Sequence, residues 1–130
     1  MIGLDTNVVV RYLMQDDPEQ AETATRLIDA LTDQDPAFVS VVTLAEIHWV
    51  LRRAYKVDRE KAADVIQGLL AAEEILVEGP DVVRRALDAV SAGADFADAL
   101  IYEACRVAGC SSVVTFDRRA AEAAGFDLLQ

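Results

Sequence analysis

Short apolar runs alternate along the chain with longer segments in which apolar residues recur at helical spacing. The short runs predict buried strands, and the longer segments predict amphipathic helices. Strands that alternate with helices are typical of an α/β domain with a mostly parallel sheet. No internal repeat, linker or low-complexity tract divides the sequence, so we expect a single domain over residues 1–130.

Local signals set the expected boundaries of these elements. The predicted strands cover residues 2–4, 37–42, 75–77, 112–116 and 127–129. The predicted helices cover residues 6–14, a segment that opens at Asp17-Pro18, 43–55, segments that open at Asp58 and Pro80, 96–108, and 118–124. An Asp cap followed by Pro is a helix start signal, whereas Gly109 and Gly125 are typical of helix ends.

Five of the predicted helices carry an apolar stripe that we expect to face the core, and two of these stripes matter below. In the helix that opens at Asp17, the stripe comprises Ala21, Ala24, Leu27, Ile28 and Leu31. In the helix over residues 96–108, it comprises Ala97, Leu100, Ile101, Ala104 and Cys105. The second cysteine, Cys110, stands outside any CxxC or metal-ligand spacing, so both thiols are expected in or near the core.

The charge balance changes the range of functions that the sequence favours. Twelve Lys and Arg residues against 23 Asp and Glu residues give a net charge of −11. This excess of negative charge argues against a general electrostatic nucleic-acid binder. An acidic protein can still bind nucleic acid through a local basic rim or bound metal ions, and it favours basic protein partners.

The apolar runs are short and broken by charges, so no segment is expected to span a membrane. The N-terminus lacks the basic region and the apolar core of a signal peptide. A cytoplasmic location is therefore expected.

Five acidic residues lie where a parallel sheet would place them at one edge. Asp5 and Asp117 end predicted strands, and Glu46, Asp95 and Asp98 lie in the first turns of predicted helices. In open parallel sheets, ligands bind beyond the carboxyl ends of the strands, where the following helices also begin. We therefore expect these carboxylates to converge in one cleft.

Each of these acids also has a purely structural interpretation. Thr43 and Glu46 match the spacing of a capping box at a helix N-terminus. The other acids would serve helix N-termini as caps or as charges that complement the helix dipole: Asp5, Asp95, Asp98 and Asp117. The functional interpretation depends on their joint placement, because several carboxylates in one cleft repel one another unless a cation such as Mg²⁺ binds them.

Four segments resemble the acidic motifs of PIN-domain proteins, and in particular the VapC-type toxins of bacterial toxin–antitoxin pairs. They are residues 2–13 (IGLDTNVVVRYL), 41–47 (VVTLAEI), 95–101 (DFADALI) and 113–118 (VVTFDR). The segments follow one another in the family's order and span essentially the whole chain.

The resemblance implies a three-layer α/β/α fold with a small, mostly parallel central sheet. It also implies an endoribonuclease that requires Mg²⁺ (or Mn²⁺), a cognate antitoxin that blocks the site, and commonly a homodimer. Carried over by position, the catalytic metal-binding acids are Asp5, Glu46, Asp98 and Asp117, with Asp95 as a further ligand or a helix cap. A metal-activated water would cleave the RNA phosphodiester and leave a 5′-phosphate and a 3′-hydroxyl.

Residues beside the motifs are expected to support this chemistry. Hydrogen bonds to the carboxylates or to the attacking water would come from Thr6, Asn7 and Thr115. Contacts to RNA phosphates would come from Arg11, Arg118 and Arg119. The structural alternatives are capping and turn formation for the first three and simple solvation for the arginines.

Two other function classes use an aspartate at a strand end. A phosphatase with an aspartyl nucleophile usually carries a second Asp two residues later, where this chain has Asn7. A phospho-accepting receiver domain needs a lysine after a late strand, and the only lysines here are Lys56 and Lys61. An inactive PIN-like module remains a third alternative, although all four acids are present.

Overall fold

The structure is a computed structural model that describes Met1–Gln130. Seven helices and five short strands form two compact units, Met1–Glu78 (unit 1) and Gly79–Gln130 (unit 2). The expectation of a single domain stays a prediction. No helix has the length and apolar composition needed to cross a membrane.

Unit 1 contains a three-stranded parallel sheet in the order β1-β2-β3. Its elements are β1 (Ile2–Gly3), α1 (Thr6–Met14), α2 (Pro18–Asp29), β2 (Ala37–Val39), α3 (Val41–Arg53), α4 (Arg59–Ala71) and β3 (Ile75–Val77). The central strand pairs on both sides, with Ala37 opposite Ile2 and Ile75. Ala37 and Val39 on one face are fully buried and Phe38 on the other face is half-buried, so neither face of this strand is polar.

Unit 2 contains α5 (Pro80–Ser91), α6 (Phe96–Val107), β4 (Val114–Thr115), α7 (Arg118–Ala124) and β5 (Asp127–Leu128). The two strands pair in parallel. An ion pair joins α5 to α6, with Arg85 Nε 3.0 Å from Glu103 Oε2. The rings of Tyr102 and Phe126 stack at 6.1 Å between centroids and connect α6 to the end of α7.

The predicted α/β fold class with parallel strands is confirmed, and the order of helices and strands is the predicted one. The largest boundary error lies between β2 and α3. The predicted strand extended to residue 42, but β2 ends at Val39 and α3 begins at Val41. Ser40 is the N-cap, because its Oγ accepts a hydrogen bond from the Thr43 N–H at 3.1 Å.

The predicted inward face of α6 is partly wrong. Ala97 and Ala104 are exposed, and Ile101 is 50% exposed, whereas Phe96, Ala99, Leu100 and Glu103 are buried. The buried face of α6 is rotated from the predicted apolar stripe and includes Glu103, whose charge is tolerated there because it is paired with Arg85.

Two further burial expectations also fail. Leu27 of α2 is 40% exposed. Cys110 is exposed because it follows the end of α6, whereas Cys105 is half-buried.

Candidate active site

Asp5 occupies the junction between β1 and α1. The preceding residue, Leu4, extends the pairing with β2 through its N–H, which donates to the Phe38 carbonyl at 2.9 Å. Asp5 is the N-cap of α1, and its backbone carbonyl accepts a hydrogen bond from the Val8 N–H at 3.1 Å. Its side chain makes no capping hydrogen bond and is exposed. The structural alternative for Asp5, a side-chain cap on α1, is therefore wrong, and its carboxylate is available to a ligand.

Glu46 is oriented by the residue that follows Asp5. Thr6 is 6% exposed, and its hydroxyl donates a hydrogen bond to Glu46 Oε1 at 3.2 Å. Because α3 begins at Val41, Glu46 lies in the second turn of that helix and is exposed. The structural alternative for Glu46, a capping box with Thr43, is wrong because Ser40 caps the helix.

In unit 2, Asp95 and Asp98 lie at the start of α6. Asp95 is the N-cap, as expected for its structural alternative, and its Oδ2 accepts a hydrogen bond from the Asp98 N–H at 3.2 Å. The carboxylate of Asp98 is half-buried. Burial, the charge of Asp95 and the charge of Asp117 raise the pKa of Asp98, in that order of importance. Three negative groups of unit 2 therefore lie within electrostatic reach of one another.

Asp117 connects β4 to α7 and fulfils the predicted capping role. Its Oδ1 accepts hydrogen bonds from the N–H groups of Arg119 at 2.8 Å and Ala120 at 3.4 Å. The Asp117 N–H in turn donates to Thr115 Oγ1 at 3.0 Å. Thr115 therefore has the turn-forming role that was its structural alternative, and it fixes the backbone of Asp117.

Arg11 belongs to a side-chain network that the sequence reasoning missed. Its Nε donates to Gln20 Oε1 at 2.8 Å, and its Nη1 donates to the Tyr55 hydroxyl at 3.2 Å. Tyr55 donates to Asp16 Oδ2 at 2.7 Å, and this hydrogen bond is the main cause of the lowered pKa of Asp16. The network joins three separate segments of unit 1, so only the structure could reveal it.

The other predicted supporting residues are exposed. Asn7 lines a groove of about 530 Å³ between α1 and α2. Arg118 and Arg119 form the first turn of α7, and their guanidinium groups make no ion pair. Any contact of these side chains with RNA stays a prediction.

The donor chemistry of the acids fits a hard divalent cation. Carboxylate oxygens are the protein ligands that Mg²⁺ prefers, and Mg²⁺ usually keeps several waters beside one or two of them. Neither unit contains a group of three or more His, Cys, Asp or Glu side chains in an arrangement that would hold a metal ion. Asp5 and Asp98 nevertheless have carboxylates without a hydrogen bond or ion pair, and a nearby cation would offset the negative charge around Asp98.

Similarity to known proteins identifies the class to which this chain belongs. A sequence model of the PIN domain matches residues 2–126, so this chain belongs to the PIN-domain family. It is also similar to a VapC ribonuclease of Aquifex aeolicus (strain VF5), with 29% identity over 118 residues. That alignment covers 89% of this chain and 87% of the relative. The predicted resemblance of the chain to PIN-domain proteins of the VapC type is thereby confirmed.

Proposed function

We propose that this protein is a metal-dependent endoribonuclease and the toxin of a type II toxin–antitoxin pair. Membership of the PIN family and similarity to a VapC ribonuclease support this function. The observation that carries it is the state of Asp5. This residue stands at a helix N-cap, yet its exposed carboxylate makes no capping hydrogen bond.

The proposed metal-holding acids are Asp5 and Glu46 of unit 1 and Asp98 and Asp117 of unit 2, with Asp95 as a further ligand. Mg²⁺ or Mn²⁺ bound by such acids would activate water and offset charge on the phosphoryl oxygens. This mechanism requires no protein nucleophile, and the 2′-hydroxyl of the RNA need not take part. The products are therefore a 5′-phosphate and a 3′-hydroxyl.

Several residues of this chain prepare the acids for that role. The hydroxyl of Thr6 holds one oxygen of Glu46 and leaves the other oxygen for a ligand. The N-caps of α6 and α7 fix the backbones of Asp98 and Asp117. The Asp95 carboxylate accepts a hydrogen bond from the Asp98 N–H, and the Asp117 carboxylate accepts one from the Arg119 N–H. The carboxylates of Glu46 and Asp117, which hydrogen bonds hold in place, lose little conformational freedom when they bind a ligand, which favours binding.

The proposed partners follow from charge. With a net charge of −11, this toxin would favour an antitoxin with basic residues. An antitoxin arginine placed among the acids would compete with the metal and block the site. A homodimer of the toxin is part of the same proposal.

The test is RNA cleavage by the purified chain with Mn²⁺, with Mg²⁺ or with a chelator. We expect cleavage with either metal, none with chelator, and fragments that carry a 5′-phosphate. Cleavage in the presence of chelator, or fragments that end in a cyclic phosphate, would contradict the proposal. Labelling of the chain by a small phosphodonor would instead support the receiver or phosphatase class.

A further inference from the structure

The C-terminus of α6 closes in a specific hydrogen-bonded turn. The Cys110 N–H donates to the Cys105 carbonyl at 3.0 Å, and the Gly109 N–H donates to the Arg106 carbonyl at 3.0 Å. Gly109 adopts the left-handed backbone conformation, with φ of +93°. These are the two nested hydrogen bonds of a Schellman motif, whose left-handed residue is usually glycine.

This motif brings two particular side chains together. The outer hydrogen bond of the motif joins two residues, one through its carbonyl and one through its N–H. The side chains of these two residues frequently make contact across the turn. In this chain both positions are cysteines, Cys105 and Cys110, and both thiols are free. After partial burial, the neighbouring Cys110 thiol is the next cause that raises the pKa of Cys105. The two sulfurs are therefore close neighbours.

We propose that Cys105 and Cys110 are a redox modification site, which forms a reversible disulfide across the C-terminal turn of α6. The turn already holds the two residues at short range, and a disulfide requires such short Cα and Cβ separations. The exposed Cys110 is accessible to an oxidant, whereas the half-buried Cys105 is placed to resolve the first product. This proposal is independent of the proposed nuclease function.

The oxidant would be a low-molecular-weight disulfide such as glutathione disulfide. The Cys110 thiolate attacks one of its sulfurs, a mixed disulfide forms, and the first glutathione leaves and takes up a proton. The Cys105 thiolate then attacks the Cys110 sulfur, and the second glutathione leaves as a thiol. The two protein thiols are oxidised to one disulfide, and the glutathione disulfide is reduced to two thiols.

Arg106 makes the product easy to identify, because trypsin cleaves between the two cysteines. The full chain is incubated with glutathione disulfide, the remaining thiols are blocked, and the chain is digested without reductant. We expect peptides 86–106 and 107–118 to remain joined, with a combined mass lower by two hydrogen atoms than that of the two separate peptides. Reduction should separate them. Linked peptides that derive from two different chains, seen as a covalent dimer, would overturn the proposal.

Two variants provide the matched controls. In Cys105→Ser, glutathione should stay attached to Cys110, at a level about tenfold or more above that in the wild-type chain, because no neighbouring thiol displaces it. Cys105→Ala should behave in the same way, and a thermal melt of each variant verifies that it is folded. Equal retention of glutathione in the wild-type chain and in both folded variants would show that the thiols do not react with each other.

Discussion

The first and the last strand–helix junctions of the chain share one sequence pattern but differ in what the aspartate does. At β1–α1 and at β4–α7, a two-residue parallel strand leads to an Asp at the helix N-cap. Asp117 uses its carboxylate to accept two backbone hydrogen bonds of α7. Asp5 makes no such bond with α1.

The comparison separates two roles that the sequence pattern combines. A side-chain cap stabilises its helix by satisfying an N–H group, so Asp117 serves the fold even if it also binds a metal. The carboxylate of Asp5 makes no hydrogen bond in the fold. An acid without a structural partner at a strand end is a stronger indication of ligand binding than a capped one.

The largest expected effect concerns the uncapped junction. Asp5→Asn should lower RNA cleavage with Mn²⁺ by at least about 100-fold, because a neutral amide holds a divalent cation poorly. Its melting temperature without metal should equal that of the wild-type chain. Asp33→Asn, which removes the same charge from an exposed loop, should retain full activity. Undiminished cleavage by Asp5→Asn would remove the main support for the proposed site.

Thr6 gives the next largest effect at the same junction. Thr6→Val removes the hydroxyl that holds Glu46, so the metal concentration for half-maximal cleavage should rise about tenfold. The lost hydrogen bond should also destabilise the fold by about 1 kcal/mol in urea unfolding. Thr6→Ser retains the hydroxyl and should restore the metal dependence. If the serine variant needs as much metal as the valine variant, Thr6 does not act through Glu46.

The capped junction should respond through stability. Asp117→Ala removes the cap of α7 and should destabilise the chain by about 1 kcal/mol. Without metal, this lowers the melting temperature by about 3–5 °C. Asp5→Ala should have no comparable effect.

Asp117→Asn separates the cap from the charge at this junction. Asn is as good an N-cap as Asp, so this variant should retain the wild-type melting temperature while it loses cleavage activity. Equal melting temperatures for Asp117→Ala and Asp5→Ala would show that the two junctions do not differ.

Much of the fold was predictable because its strands and helices have strong local signals. The Asp17-Pro18 start of α2 and the Gly125 end of α7 appear as the sequence predicts. The start of α3 was missed because Ser40 and Thr43 are both good N-caps, and only the observed hydrogen bond distinguishes them. The face of α6 was missed because Glu103 is buried and pairs with Arg85, which lies 18 residues away in the chain.

The positions of the acids along the chain were also predictable, but their local roles were not. Sequence alone gives the same capping interpretation to Asp5, Asp95 and Asp117, and the structure supports a side-chain cap only for the last two. The engagement of Arg11 with Gln20 and Tyr55 likewise depends on contacts between distant segments. Such contacts have no signature in a single sequence.

The smallest expected effect concerns Asp98, whose neighbours in unit 2 include the negative charges of Asp95 and Asp117. Because the folded-state pKa of Asp98 is raised, its ionisation favours the unfolded chain. The protonated carboxyl of Asp98 favours the folded chain. This stabilisation is complete below the unfolded-state pKa of 3.8, and it is lost as the pH rises through the higher pKa of the folded state. At neutral pH with chelator, Asp98→Asn should therefore stabilise the chain by about 0.5 kcal/mol, a small value because the carboxylate is only half-buried.

Urea unfolding at neutral pH and at a pH well below 3.8 tests this effect on Asp98. The gain in the free energy of unfolding should disappear at the lower pH, where the wild-type carboxyl is neutral in both states. Asp33→Asn should show no gain at either pH, since Asp33 lies in an exposed loop. A gain for Asp98→Asn that persists at low pH would mean that the amide stabilises the fold by a contact unrelated to charge. A loss at neutral pH would mean that the negative charges around Asp98 do not destabilise this part of unit 2.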